Sequence, residues 1–306
     1  MIQSNKKGDW FEIILPAEWE KYTLESLFKD FWQAPKKLVH TYRMEKKVRI
    51  NGKSPDWTLP LVKGERLQLN LFVEEEMTVV PDYHNVVIIF EDDHLIVFNK
   101  PAGMDTHPNE PEQTGTLANA AAFHMQGNGE PGRPRHVHRL DRDTTGAVLF
   151  AKNALIGAIL DKMLEDRHIK RTYLALADGI IRQNKGTIDK PIGRDRHHPT
   201  RRRVSETGQK AITHFKVLDR FKQKYLTLLQ CSLDTGRTHQ IRVHFSHLGH
   251  PLAGDSLYEG STEFNRQALH AVKLELVHPF TQEKIVCHAP FIDQPPIFFN
   301  INPYDI

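Results

Sequence analysis

Three short stretches of the 306-residue chain hold acidic, basic, imidazole and phenol side chains at spacings that could do chemistry. The first runs His138-Arg139-Leu140-Asp141-Arg142-Asp143-Thr144-Thr145-Gly146. It sets Asp141 between two arginines, after a Gly- and Pro-rich loop and just before the apolar run Ala147 to Ala151. A carboxylate at the lip of a strand stands where loops tend to carry function. The same alternation of charge also suits an exposed ion-pair network, which is worth little energetically. The second stretch, Asp234 to His244, ends a strand, turns at Gly236 and opens a helix at Thr238. Arg237, His239, Gln240 and Arg242 gather there with free backbone N–H groups, an arrangement suited to an anion or a base edge. It reads equally well as an ordinary polar helix start. The third, Lys170 to Gly179, carries Tyr173 in an otherwise aliphatic strand. Alone, such a tyrosine is core packing with a bonded hydroxyl.

Other chemistries lack their residues. The chain has no phosphate-loop G-x-x-x-x-G-K, no H-E-x-x-H and no G-x-S-x-G, and its G-x-G-x-x-G, Gly127 to Gly132, lies in the Gly- and Pro-rich loop rather than between a strand and a helix. It holds 18 histidines, and the pairs His136/His138 and His244/His247 each share a face, but no carboxylate or cysteine completes either pair at ligand spacing. The two cysteines, Cys231 and Cys287, form no C-x-x-C pair, which argues against a secreted disulfide scaffold and a thiolate zinc site. No run approaches the roughly 20 apolar residues of a membrane span. The N-terminus also lacks a signal-peptide core. A cytoplasmic location is therefore expected. The net charge of +3 does not decide for or against nucleic acid. Two basic runs, Lys36 to Arg49 and Arg194 to Arg203, lean towards a polyanion, although charge runs are commonly just solvated loops.

The elements that must position these residues fall into two textures. In residues 1–75, Leu24, Leu27, Phe28 and Phe31 follow helical spacing, Val48 to Lys53 reads as a strand entering an Asn-Gly turn, and Leu67, Leu69 and Leu71 alternate as in a half-buried strand. Glu74 to Asn85 reads as a linker, which gives boundaries of 1–75, 76–85 and 86–302. Beyond it, strands are expected near 86–90, 95–98, 147–151, 173–177, 211–218, 225–233, 269–277 and 285–289. Helices are expected at 117–125, after an Asn153 cap, and at 238–248, ending at Gly249. Strands outnumber helices without regular alternation. That pattern predicts an α+β fold with a large, mainly antiparallel sheet.

Taken in order, the three stretches resemble the RluA/RluD-type family of RNA pseudouridine synthases. The hallmark H-R-L-D-x-x-T-S-G stands here as His138 to Gly146, with Thr145 for the usual serine. The resemblance continues through Asn99-Lys100-Pro101-Ala102-Gly103, His107-Pro108, Arg171-Thr172-Tyr173, Pro191-Ile192-Gly193 and Gly208 to Ala211. It ends with Gly236 to Arg242, Gly249 to Leu252, Gly254-Asp255, Leu269-His270-Ala271 and His278-Pro279. Residues 1–75 resemble the small S-four-like RNA-binding module often fused ahead of this catalytic domain. The likeness implies conversion of uridine to pseudouridine in ribosomal or transfer RNA, with no cofactor and no metal. It implies catalytic roles for Asp141, Tyr173 and Arg242, with Arg242 pairing with the aspartate and Tyr173 stacking on the base. Contacts to RNA are expected from Arg139, His138, Lys100, Arg237, His239 and Gln240, and a monomer is the default. A non-catalytic RNA-binding protein of the same fold and a histidine-based metallohydrolase are the competing readings.

Overall fold

Alternating burial organises the N-terminal unit of the computed structural model, which describes residues 2–306. β1 (Ser4–Lys7) is wholly exposed and pairs only with β2 (Trp10–Ile14), whose Phe11 and Ile13 face inward. Thr23 closes a capping box on α1 (Leu24–Ser26), and the chain continues as a single wide turn over Leu27–Phe31, with Trp32 N–H reaching Leu27 O at 2.9 Å. The expected helix is therefore present but changes pitch half-way. α2 (Lys36–Met44), β3 (Val48–Ile50) and β4 (Arg66–Asn70) complete the unit, in a four-stranded sheet of order β1-β2-β4-β3. β1 was not legible in the sequence, because Ser4–Lys7 carries no apolar residue to mark a face, and the apolar β2 was not assigned as a strand either.

The second unit is one ten-stranded sheet. It begins with the antiparallel pair β5 (Val87–Glu91) and β6 (Leu95–Lys100), followed by α3 (Leu117–Gly127), β7 (Arg135–His136) and β8 (Thr145–Ala151). Asn153 caps α4 (Ala154–Glu165) as expected, and β9 (Lys170–Asp178) follows. β10 (Lys185–Asp189) joins the sheet, whereas β11 (Ile192–Arg194) and β12 (Arg202–Val204) form a separate two-stranded arm bearing the basic run. Then come β13 (Ile212–Phe221), β14 (Leu226–Leu233), α5 (Gln240–His247), β15 (Leu269–Val277) and β16 (Lys284–His288). The strand order is β10-β13-β14-β9-β15-β8-β6-β5, with β16 beside β15 and β7 beside β8, and only β8 and β15 pair in parallel. The fold is α+β with a mainly antiparallel sheet.

Both faces of the central strands are covered, so they read as continuous apolar runs. Leu95 and Val97 of β6 enter one core while Ile96 and Phe98 enter another, the two-residue period of a strand. The first of these cores is shared with the N-terminal unit. Phe11 and Trp32 both pack on Phe280, and Trp32 Nε1 donates to Pro279 O at 3.3 Å. The segment expected as a linker is docked as well, with Glu75 paired to Arg135 and Val80 O accepting from Asn119 Nδ2.

Where β8 meets β15 the backbones nearly touch. Gly146 has φ +112°, and a Cβ there would overlap the Ala271 carbonyl. This explains why glycine must close the Asp141 segment. The crossing brings the loop before β8 and the strand β9 to opposite sides of β15.

Candidate active site

Asp141 lies in a turn, with Thr144 N–H donating to its carbonyl at 3.0 Å. Two buried side chains grip this loop from beneath. Thr106 Oγ1 donates to Leu140 O (2.9 Å) and accepts from Leu140 N–H (3.0 Å). Lys100, fully buried, donates from Nζ to Pro101 O (2.9 Å), Met104 O (2.7 Å) and Arg142 O (2.8 Å). Burial pushes the lysine pKa down to about 7, against the pull of Asp141, Asp143 and Asp105. The ammonium thus ties the β6 exit to the residue after Asp141.

The carboxylate itself is held from α5. Arg242 Nη1 donates to Asp141 Oδ2 at 3.0 Å. The same guanidinium grips Asp255 with two bonds, Nε to Oδ2 at 2.7 Å and Nη2 to Oδ1 at 2.9 Å. Asp255 is 1% exposed, Arg242 6%, and the Asp141 side chain 19%. Burial opposes the arginine charge, but the Asp255 bonds and the charges of both aspartates outweigh it and raise the pKa. Asp255 anchors Arg242, and Arg242 aims Asp141.

Asp141 and Arg242 line one cleft of about 760 Å³, together with Tyr173, Arg139, Arg171 and His239. Tyr173 is buried on β9, and burial raises its pKa while the Arg171 charge opposes that rise. His239 places Nε2 4.0 Å from Asp141 Oδ2. Arg139 is exposed at the lip. Near it, His107 and His136 stack with centroids 4.4 Å apart and planes 5° from parallel. Burial and neighbouring positive charge lower both imidazoles, His136 to about 4. Arg237 spends Nε on Lys210 O at 3.1 Å and keeps its terminal nitrogens at the surface. It also lines a smaller neighbouring hollow of about 330 Å³ with Arg194 and Arg202.

Three residues expected to contact RNA are buried. Lys100 has no exposed surface and its three donors are spent on backbone carbonyls. His138 is buried, accepting from Leu149 N–H at 3.3 Å through Nε2. Gln240, also buried, accepts from Thr235 Oγ1 and Arg237 N–H and donates to Ile212 O. It braces the Thr235–Arg237 turn. In each case the polar group faces inward because a strand end or a turn needs its hydrogen bond.

A family model described as RNA pseudouridylate synthase matches residues 94–247, half of the chain. The chain belongs to the RNA pseudouridylate synthase family. A second model, described as the RluD ribosomal pseudouridine synthase N-terminal domain, matches residues 11–67. The chain is similar to YhcT of Bacillus subtilis, an uncharacterized RNA pseudouridine synthase, with 50% identity over 94% of this chain and 95% of that protein. It is 41% identical to the ribosomal large subunit pseudouridine synthase D of Haemophilus ducreyi, over 74% of each. Among solved structures, human RNA pseudouridylate synthase domain containing 1 matches with a TM-score of 0.56 and 26% identity, covering 67% of this chain and 83% of that one.

For a pseudouridylate synthase, the structure adds residues that sequence reasoning had not given roles. Asp255 is the anchor of Arg242, a role that its place in the Gly254-Asp255 resemblance had not assigned. Arg171 lies two residues before Tyr173 on the same sheet face and lines the cleft, with Nε buried and unbonded. A basic residue at that two-residue spacing was the available signal. Tyr258 left no signal in the sequence.

Proposed function

We propose that Asp141 is the catalytic carboxylate of this synthase, acting on a uridine turned out of structured RNA into the cleft. The observation that carries this reading is the Asp255–Arg242–Asp141 clamp, which aims one half-open carboxylate into a cavity shared with Tyr173. Pseudouridine formation breaks the C1′–N1 bond, turns the uracil, joins C1′ to C5, removes the C5 proton and leaves a proton on N1, so that the product is an isomer of uridine. Asp141 serves at the ribose, by attack on C1′ or by removal of the C2′ proton. The leaving uracil carries its own negative charge, so the second carboxylate of ordinary glycoside cleavage is not needed. Tyr173 packs against the base and assists loss of the C5 proton, and Arg139 fills the gap left in the RNA stack.

Around the cleft, Arg139, Arg171, Arg194, Arg202 and Arg237 have no carboxylate within 4.0 Å among the described residues. Unpaired guanidiniums at a cleft are suited to phosphodiesters. We take ribosomal RNA as the substrate, supported by the likeness to ribosomal large subunit pseudouridine synthases, with transfer RNA as the alternative. Residues 1–75 serve as the RNA-binding module, 76–85 join it to the catalytic part at 86–302, and the chain works as a cytoplasmic monomer.

The test is pseudouridine mapping of total RNA from a strain lacking the gene, complemented with wild type or Asp141→Asn. Defined sites should vanish on deletion and return only with wild type. Sites restored by Asp141→Asn would remove Asp141 from its role, and purified protein with transcript RNA would distinguish redundancy from inactivity.

A further inference from the structure

Tyr258 is 2% exposed and does not line the cleft, and two guanidiniums lie near its ring. Arg201 is 5.4 Å and Arg242 5.1 Å from the ring centroid. Its hydroxyl has two partners among the described residues. Arg202 N–H donates to it at 2.9 Å, and His239 Nδ1 lies 2.9 Å away. A backbone N–H can only donate, so the hydroxyl oxygen accepts from Arg202 and its own proton needs an acceptor. His239 Nδ1 is the one acceptor within reach. If Nδ1 carried the proton instead, the buried hydroxyl would accept twice and its hydrogen would be left unbonded, which is costly.

We propose that Tyr258 fixes His239 as the Nε2–H tautomer, so that His239 presents a neutral hydrogen-bond donor to the cleft beside Asp141. This rests on the reading of Asp141 as the reacting carboxylate. Nε2 faces Asp141 Oδ2 across 4.0 Å, on the cleft side, while Arg242 holds the same oxygen at 3.0 Å. Arg242 therefore bonds that oxygen directly, and His239 Nε2 stands beside it without a hydrogen bond. Arg242 is tied to Asp255, whereas His239 is tied through Tyr258 to the Arg202 backbone in the basic arm. Tyr258 is a positioning residue: it does not line the cleft, and it acts by deciding which imidazole nitrogen bears the proton. His239 has φ +58°, a conformation that places the ring between Tyr258 and Asp141 and that asparagine also adopts readily.

Nitrogen-15 NMR of the free, full-length chain at pH 8 reads the tautomer directly, with His239→Asn used to assign the resonance. The expected spectrum shows His239 protonated on Nε2 and bare on Nδ1. A proton on Nδ1 in the wild type would overturn the proposal, whether or not any variant folds. Tyr258→Phe should release the preference and lower kcat on the order of tenfold, the worth of about one hydrogen bond, with KM for RNA unchanged. Unchanged kcat in a folded Tyr258→Phe protein whose tautomer has shifted would also sink it. The tautomer is read without RNA, so its result stands apart from whether uridine is the substrate.

Discussion

The floor and the rim of the cleft are built from the same residue types and use them in opposite ways. On the floor, Lys100, Arg242 and Arg266 are buried and spend their donors on protein. Arg266 grips Asp293 with two bonds and reaches Thr145 Oγ1 at 3.0 Å, and Thr145 in turn bonds His270 Nδ1 at 2.7 Å. On the rim, Arg139, Arg194 and Arg237 are exposed and carry no ion pair among the described residues. A buried cation must be matched donor by donor or it destabilises the fold, whereas an exposed one is kept soluble by water and stays free for a ligand. Rigidity of the reacting groups and affinity for a polyanion are thus assigned to separate sets of basic residues.

The contrast can be broken first at Arg242. Arg242→Met should cost about 3–5 kcal/mol of stability, because Asp255 would be left buried and unpaired. Turnover should be lost with it. Denaturant melts and a pseudouridine assay check both, and a melt within 1 kcal/mol of wild type would deny the floor its structural role. Lys100→Met comes next. Three carbonyls lose their donor, so kcat should fall roughly ten- to a hundredfold through a loosened Asp141 loop. RNA affinity and its salt dependence should hold, and a lower salt slope would mean that the lysine does meet phosphate.

Acid sharpens the comparison. Burial first, then the charge of Arg266, depresses His270 to about 4 in the fold, against about 6.5 when unfolded. Between those values the unfolded chain binds the extra proton, so stability is complete above pH 6.5 and declines as pH falls towards 4. At pH 5 the loss from this one fully buried group is up to about 2 kcal/mol. Thermal melts at pH 7 and pH 5 measure it, and His270→Gln should flatten the acid limb; an equally steep limb would exonerate this histidine. The smallest effects belong to the rim. Arg237→Ala and Arg194→Ala should each weaken RNA binding a few-fold and reduce the salt slope by about 0.7–0.9 per lost phosphate contact, with kcat and melting unchanged. Loss of kcat without loss of affinity would move either residue from rim to floor.

Local pattern was enough for much of this molecule. Alternation and apolar runs located β6, β8, β9, β14 and β15, caps located α4 and the end of α5, and the ordered motifs named the family and drew attention to Asp141, Tyr173 and Arg242. These are properties of neighbours within a few positions, which a sequence records directly. The polar strands β1, β11 and β12 escaped, since Ser4–Lys7 and the arginine-rich arm owe their pairing to partners rather than to an apolar face. Only the tertiary structure decided which polar side chains look outward. Lys100, His138 and Gln240 carry groups that would suit RNA, yet each is turned inward to satisfy a strand end or turn. Likewise Arg242 meets Asp141 across 101 positions of sequence, and Asp255 and Tyr258 acquire their roles only once α5 is packed. The sequence determines which donors and acceptors exist. Which of them remain free is set by the hydrogen bonds that burial compels, and those join residues far apart in the chain.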